Sequence, residues 1–185
     1  VTYSVTDQWG NEAIKQVEAL VGTDWYQYPI CNGWVLGDFT YDSSGKSITG
    51  LSNQGHEKYN DGNYELCLPG FSPSTREKIT RINNNALGSL IFTAVDFSRL
   101  TELVSIGHLA FDQSQLSSLD LSHNTKLEVI DDYAFRYSPL QTLNLSTNSN
   151  LSRIGNYTFN NNRLATIDLR GLSALTYLGR NSFRG

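Results

Sequence analysis

From Leu68 onward, apolar positions return at one fixed interval with polar residues between them. Phe111, Phe135, Phe159 and Phe183 are 24 residues apart, and Leu116, Leu140 and Leu164 keep the same step. So do Leu119, Leu143 and Ile167; Leu121, Leu145 and Leu169; Leu127, Leu151 and Leu175; and Ile130, Ile154 and Leu178. Within one period Leu119 and Leu121 are two apart, so they point to the same side of a short strand, while Asp120 and Ser122 point outward. One such unit cannot bury its own apolar residues. The spacing therefore predicts coils that stack in register and share a core. Each phenylalanine is expected to fill the space between the strand and the far side of its coil. Asn124 and Asn148 stand where the chain leaves the strand, where an Asn side chain can bond backbone groups left unpaired by the bend.

The register reaches back further. Leu68-Pro-Gly-Phe71 stands one period before Phe92-Thr-Ala-Val95, and Ile79 and Ile82 precede Leu103 and Ile106 by 24. The expectation is a degenerate unit over 68–91, regular ones over 92–115, 116–139 and 140–163, and a shortened one from Leu164. Pro69 and Pro73 suit an edge strand, because proline cannot donate to a ladder. Ser182-Phe183-Arg-Gly185 stops inside a unit with no polar cap after it. The expectation there is that the native chain continues, or that this end packs against another chain.

Residues 1–67 follow other rules and are expected to form a capping module ahead of repeats over 68–185. Ala13, Ile14, Val17, Leu20 and Val21 recur at three- and four-residue steps, which predicts a helix over 11–21, with Asn11 (or Asp7, for an earlier start) as its cap and Gly22 as its stop. Phe39-Thr-Tyr41 and Lys46-Ser-Ile48-Thr-Gly-Leu51 flank Asp42-Ser-Ser-Gly45, a hairpin signal. Residues 52–64 are polar and glycine-rich without periodicity, and read as an irregular loop. The chain has two cysteines, Cys31 and Cys67, both ahead of the clear repeats. A single disulfide in the cap, in an oxidising compartment, is the favoured reading; two unpaired buried thiols are the alternative. Trp9, Trp25 and Trp34 are expected to serve as core of the cap, with a carbohydrate platform as the other option.

Leu116-Ser-Ser-Leu119-Asp-Leu121-Ser-His-Asn124 and Leu140-Gln-Thr-Leu143-Asn-Leu145-Ser-Thr-Asn148 both fit L-x-x-L-x-L-x-x-N, the signature of a leucine-rich repeat. Ile106-Gly107-His-Leu-Ala110-Phe111-x-x-Ser114 and Ile154-Gly155-Asn-Tyr-Thr158-Phe159-x-x-Asn162 resemble the L-x-x-I-G-x-x-A-F-x-x-C segment of BspA-like leucine-rich repeats, which occur mostly in bacterial surface proteins and in some protists. Ser114, Ser138 and Asn162 stand where that family often has cysteine. Cys31-Asn-Gly-Trp34 and Asp42-Ser-Ser-Gly-Lys-x-Ile-x-x-Leu51 resemble the N-terminal cap of plant-type leucine-rich repeats, with Tyr41 in place of its usual second cysteine. The resemblance implies an α/β solenoid, a right-handed superhelix with a parallel β-sheet on its concave side and a helix/hairpin cap. It also implies a secreted or cell-surface protein-binding module of adhesin or receptor-like kind.

Charge and candidate chemistry narrow this further. A net charge of −4 argues against nucleic acid, since phosphate binding needs clustered Lys and Arg. No apolar run is long enough to span a bilayer, and Val1 does not begin a signal peptide, as expected for a leader already removed or a start beyond it. The outward strand positions form the natural binding surface: Asp96, Asp120, Asn144 and Asp168 in one column, with Ser117, Gln141, Ser118, Thr142 and Thr166 beside it. A linear column holding one Asn supplies too few oxygens for calcium, so no metal is expected. His56, His108 and His123 are scattered, Asp131-Asp132 reads as a turn pair, and no phosphate-cradling glycine loop is present; the expectation is no enzyme and no cofactor. Leu109, Tyr133 and Tyr157 form a column expected to pack along the outer surface. Sequons at Asn144, Asn150 and Asn156 are no more than this Asn-, Ser- and Thr-rich composition produces by chance. A protein partner leads, with self-association through the C-terminal end into a layer or filament, or glycan binding, as alternatives.

Overall fold

The computed structural model describes residues 30–185 and, before them, the backbone of two strands, β1 (Thr2–Thr6) and β2 (Glu12–Gln16), paired antiparallel. The helix expected over 11–21 is thus a strand where it is described. An isolated amphipathic helix of this length is marginal without a packed face, and pairing with Thr2–Thr6 satisfies the same backbone across strands instead. Residues 17–21, Trp9 and Trp25 lie outside the described residues.

The hairpin forms as its sequence predicts. β3 (Phe39–Tyr41) and β4 (Ser47–Leu51) pair antiparallel, with a register shift between Thr40 and Tyr41. Asp42 closes the turn, its Oδ1 accepting from the backbone N–H of Lys46 and Ser47 at 3.1 and 3.2 Å. Trp34 is fully buried; its ring lies 5.7 Å from Phe39 and 6.2 Å from Phe92, and its Nε1 donates to the Glu65 carbonyl at 2.8 Å. It is part of the apolar core rather than an exposed platform. Cys31 and Cys67 form the disulfide, with Cα atoms 5.9 Å apart.

Residues 52–64 are not an irregular loop: they hold the helix α1 (Asn53–Asn60). Ser52 caps it, its Oγ accepting from Gly55 N–H at 3.2 Å and donating to the Gly37 carbonyl at 2.7 Å. Lys58 Nζ reaches both Asp38 Oδ2 and the Gly33 carbonyl at 2.6 Å, and Asp38 is fully buried. A Cβ on the buried Gly55 would collide with the Asp38 carbonyl, so the helix sits closer to the 3-10 turn Leu36–Asp38 than any other residue allows. Polar anchors and one packed ring, Tyr59 at 5.4 Å from Phe92, hold this helix without an apolar stripe, which is why no periodicity announces it.

The remaining strands are short: β5 (Glu65–Cys67), β6 (Arg81–Ile82), β7 (Ala94–Asp96), β8 (Ser105–Ile106), β9 (Ser118–Asp120), β10 (Val129–Ile130), β11 (Thr142–Asn144), β12 (Arg153–Ile154) and β13 (Tyr177–Leu178). Each regular coil has three runs bonded to its neighbours. The first is the L-x-L run, with β5 beside β7 and β9 beside β11, all parallel. The second builds a seven-stranded sheet ordered β13-β12-β10-β8-β6-β4-β3, parallel except for the terminal hairpin. In it Ile82, Ile106, Ile130, Ile154 and Leu178 align at the 24-residue step. The third run is a ladder without strands: N–H groups of Tyr133, Phe135 and Tyr137 donate to the carbonyls of Asn156, Thr158 and Asn160 at 2.9 Å each, and 109, 111 and 113 repeat this one coil earlier. Its residues alternate into left-handed backbone, with φ of 56°, 61° and 55° at Leu109, Tyr133 and Tyr157 and 64°, 59° and 56° at Gln113, Tyr137 and Asn161.

The core lies between these runs. Phe111, Phe135 and Phe159 are buried and stack nearly parallel, centroids 5.2 and 5.6 Å apart, and Phe183 continues the pile at 5.2 Å from Phe159. Offset aromatic stacking of this kind adds to the stabilisation from apolar burial. Asn124 and Asn148 are fully buried at the bend and bond backbone carbonyls of the coil before, as expected. The first L-x-L pair departs from the sequence register: Leu66 faces Val95, five residues off the 24-residue step that would have placed Phe71 there. An inserted loop with an antiparallel Phe71–Lys78 bridge takes up the difference, and Pro69 and Pro73 are buried at its base rather than on an edge strand. Among the described residues no helix is long and apolar enough to cross a membrane.

Candidate recognition face

The L-x-L runs alternate as their sequence demands. Leu119, Leu121 and Leu145 turn inward and are buried, while Asp96, Ser117, Ser118, Asp120, Gln141, Thr142, Thr166 and Asp168 are exposed and Asn144 is half-buried. The parallel register sets Ser118 beside Thr142 and Asp120 beside Asn144. Thr166 and Asp168 lie on the last run, which forms no strand.

The acidic column has a second role that spacing alone conceals. Asp96, Asp120, Asn144 and Asp168 each accept the backbone N–H two residues on, from Ser98, Ser122, Ser146 and Arg170, at 2.8, 2.9, 3.2 and 3.0 Å. Each therefore closes the turn that follows its own strand. The signal was present as Asp-x-Ser and Asn-x-Ser in three successive coils. Asn144 also donates its amide to Asp120 Oδ1 at 2.9 Å. Partial burial works against the charge on Asp120, but bonds from Ser122 outweigh it, helped by His123 and the Asn144 amide, and its carboxyl stays below the ordinary range. The hydrogen-bonded Arg170 side chain drops Asp168 to about 2. The face thus presents hydroxyls, amides and carboxylates on a rigid frame.

Other candidates resolve into structure. Ser122 Oγ lies 3.5 Å from His123 Nδ1, too long and too exposed for an activated nucleophile. Asp131 accepts from Asp132 N–H at 2.8 Å, and Asp132 accepts the backbone N–H and side-chain amide of Asn156 at 2.8 and 3.0 Å and pairs with Arg153 at 2.8 Å. This pair clamps two coils together. The ligand atoms of Cys31, Cys67 and Asp96 lie within 4.8 Å of one another, but the disulfide occupies both sulfurs, which leaves no thiolate to bind a metal. Asn144, Asn150 and Asn156, the three sequon residues, all spend their side-chain amides on neighbouring coils.

The tyrosine column packs as expected and gains an unexpected partner. Tyr133 and Tyr157 stack at 5.2 Å and 2°, and His108 meets Tyr133 edge-on at 5.5 Å. Arg136 lies 4.7 Å from the Tyr133 ring and 4.9 Å from that of Tyr137, held by two bonds to the buried Asp112 at 2.9 and 3.0 Å. Two shallow depressions open on this side and at the end of the L-x-L face. One is lined by Thr166, Ile167, Asp168, Leu169 and Arg170, the other by Ser89, Ile91, Gln113, Gln115 and Tyr137. Sequence reasoning missed the second because its residues come from three coils.

No curated protein and no solved structure gave a match to the chain. The family model of the BspA type leucine rich repeat region matches residues 64–185 in six copies. That match covers most of the chain and coincides with the stacked coils, their I-G turns and their buried phenylalanines, so the chain belongs to the BspA-type leucine-rich repeat family.

Proposed function

We propose that this chain is a non-enzymatic recognition module, outside the cell or on its surface, that binds a protein partner through the L-x-L face. The observation that carries this reading is the separation of roles in each coil. In the regular coils the inward Leu119, Leu121 and Leu145 are buried, while Ser117, Ser118, Asp120, Gln141 and Thr142 stand exposed beside the main-chain ladders. A surface held rigid in this way loses little entropy when a partner docks. Repeats of this type are typical of surface proteins, and the Cys31–Cys67 disulfide suits an oxidising compartment. The division into a cap over 1–67 and repeats over 68–185 is part of the same proposal.

The test places a photo-crosslinking residue at Ser118 or Thr142 and, separately, at Glu128 on the second run, and exposes each protein to the surface of host or neighbouring cells. Discrete adducts from the first two positions alone support the reading. Adducts from Glu128 with none from Ser118 or Thr142 would sink it.

A further inference from the structure

The depression lined by Ser89, Ile91, Gln113, Gln115 and Tyr137 lies off the L-x-L face and is explained by none of the roles above. Ser89, Gln113 and Tyr137 occupy the same position in three successive coils, and all three hold left-handed backbone, with φ of 62°, 64° and 59°. Glycine adopts that conformation at least cost. The chain instead projects a hydroxyl, an amide and a phenol there, in one row along one rim. Tyr137 and Ile91, 50% and 44% exposed, are the most exposed large apolar side chains outside the last coil among the described residues, and both line this depression.

The chemistry of the lining selects a ligand class. None of its side chains is ionised. Arg136 backs the Tyr137 ring at 4.9 Å, and its charge is balanced by the two bonds to Asp112. Gln113 donates its amide to Asp112 Oδ2 at 3.2 Å, which leaves its carbonyl oxygen as an oriented acceptor. The exposed Gln115 and Ser89 add donors and acceptors. An aromatic plate beside planar amides and a hydroxyl, without charge, matches a pyranose: its C–H face stacks on the ring and its vicinal hydroxyls bond the amides. We propose that this rim depression binds a neutral saccharide, with Tyr137 as the stacking platform and Gln113 and Gln115 as hydroxyl partners.

The test applies a panel of neutral, sialylated and sulfated oligosaccharides to the intact chain, with binding read by saturation-transfer NMR and titration. Binding is expected for neutral sugars, with saturation transferred from aromatic protons. Tyr137→Phe should retain affinity, Tyr137→Gly should lose about three- to tenfold, and Gln115→Ala should weaken binding further in combination. Tyr137→Gly suits the left-handed backbone, so the fold survives it and circular dichroism verifies this. The proposal is overturned if no neutral sugar binds at millimolar concentration, if only acidic glycans bind, if Tyr137→Gly binds as well as wild type, or if peptides alone compete at this rim. Each result is independent of the photo-crosslinks from Ser118 and Thr142.

Discussion

The side-chain amide of Asn148 donates to the main-chain carbonyl of Asn124, one coil earlier, at 2.8 Å, and to that of Leu121 at 3.1 Å. Asn124 does the same to Leu100 and Phe97 at 2.9 and 3.0 Å. Each of these carbonyls also accepts a backbone N–H within its own bend, and the buried asparagine amides add the bonds that staple one coil to the next. Asn148→Ala is expected to cost about 1–3 kcal/mol, because it removes two buried hydrogen bonds between coils. Asn148→Leu, which refills the volume, should recover little of that. Urea unfolding of both variants checks it; a nearly wild-type Asn148→Leu would show that packing, not bonding, is the role.

Glycines at the I-G turn are required by close approach rather than by φ. A Cβ on Gly155 would strike the backbone nitrogen and the carboxylate of Asp132 in the preceding coil. Gly155→Ala is expected to destabilise by about 1–3 kcal/mol through overpacking. The exposed Ser89 shows the opposite case, because its φ of 62° suits glycine. Ser89→Gly should stabilise by up to about 1 kcal/mol. Thermal unfolding of the two single variants should therefore move in opposite directions.

Asp132 couples stability to acid. Partial burial opposes its charge, but the Asn156 side-chain and backbone bonds, with Arg153 and His108, prevail and hold its pKa below the ordinary 3.8. A carboxyl depressed in the native state contributes fully above its unfolded pKa of about 3.9. That contribution is lost as pH falls from about 4 through the native value. Asp132→Asn keeps an acceptor for Asn156 N–H but does not titrate. Its unfolding midpoint should fall less steeply than wild type below about pH 4, and parallel acid limbs would refute the assignment.

The L-x-L face is laddered where Asn144 meets Asp120, and no strand pairing joins β7 and β9, on which Asp96 and Asp120 hold equivalent positions one 24-residue step apart. Like charges directly opposite each other on adjacent strands are destabilising. Asp96→Asn keeps the acceptor for Ser98 N–H and adds a donor toward Asp120. It should raise stability by about 0.2–1 kcal/mol and slow amide exchange in residues 94–96 and 118–120. Asp168→Asn, which breaks the pairing with Arg170, should not.

The disulfide joins the segment before the 3-10 turn to β5 across a separation of 36 residues, with α1 inside the loop it closes. Replacing both cysteines with serine should cost about 2–4 kcal/mol. Hydrogen exchange should then show residues 31–66 opening before the coils, since the Phe stack does not depend on the bridge.

Much of this architecture was legible because its determinants repeat. Phe135 is read correctly from Phe111 and Phe159 alone, since equivalent residues share one environment and the pattern averages out local accidents. The same averaging misled at Phe71, where a plausible match at the 24-residue step concealed an inserted loop and a strand five residues earlier. The helix α1 had no pattern to read, for its anchors are Gly33, Gly37, Asp38 and the single packed ring of Tyr59 rather than an apolar face. At the candidate face, which side chains point outward was legible. That the acidic ones also close their own turns was written in the repeated Asp-x-Ser and Asn-x-Ser, and the bonds to Ser98, Ser122 and Ser146 make it plain.

The sequence by itself determined the period, the inward and outward alternation of each strand, the buried asparagines and the pairing open to two cysteines, because each follows from local geometry repeated in register. Tertiary structure alone decided which strands pair, where the ladder on the L-x-L face breaks, which residues hold left-handed backbone, and that Ser89, Gln113 and Tyr137 share one rim. Those features arise from contacts between coils, whose energies depend on groups distant in the chain and leave no trace in the order of residues along any one of them.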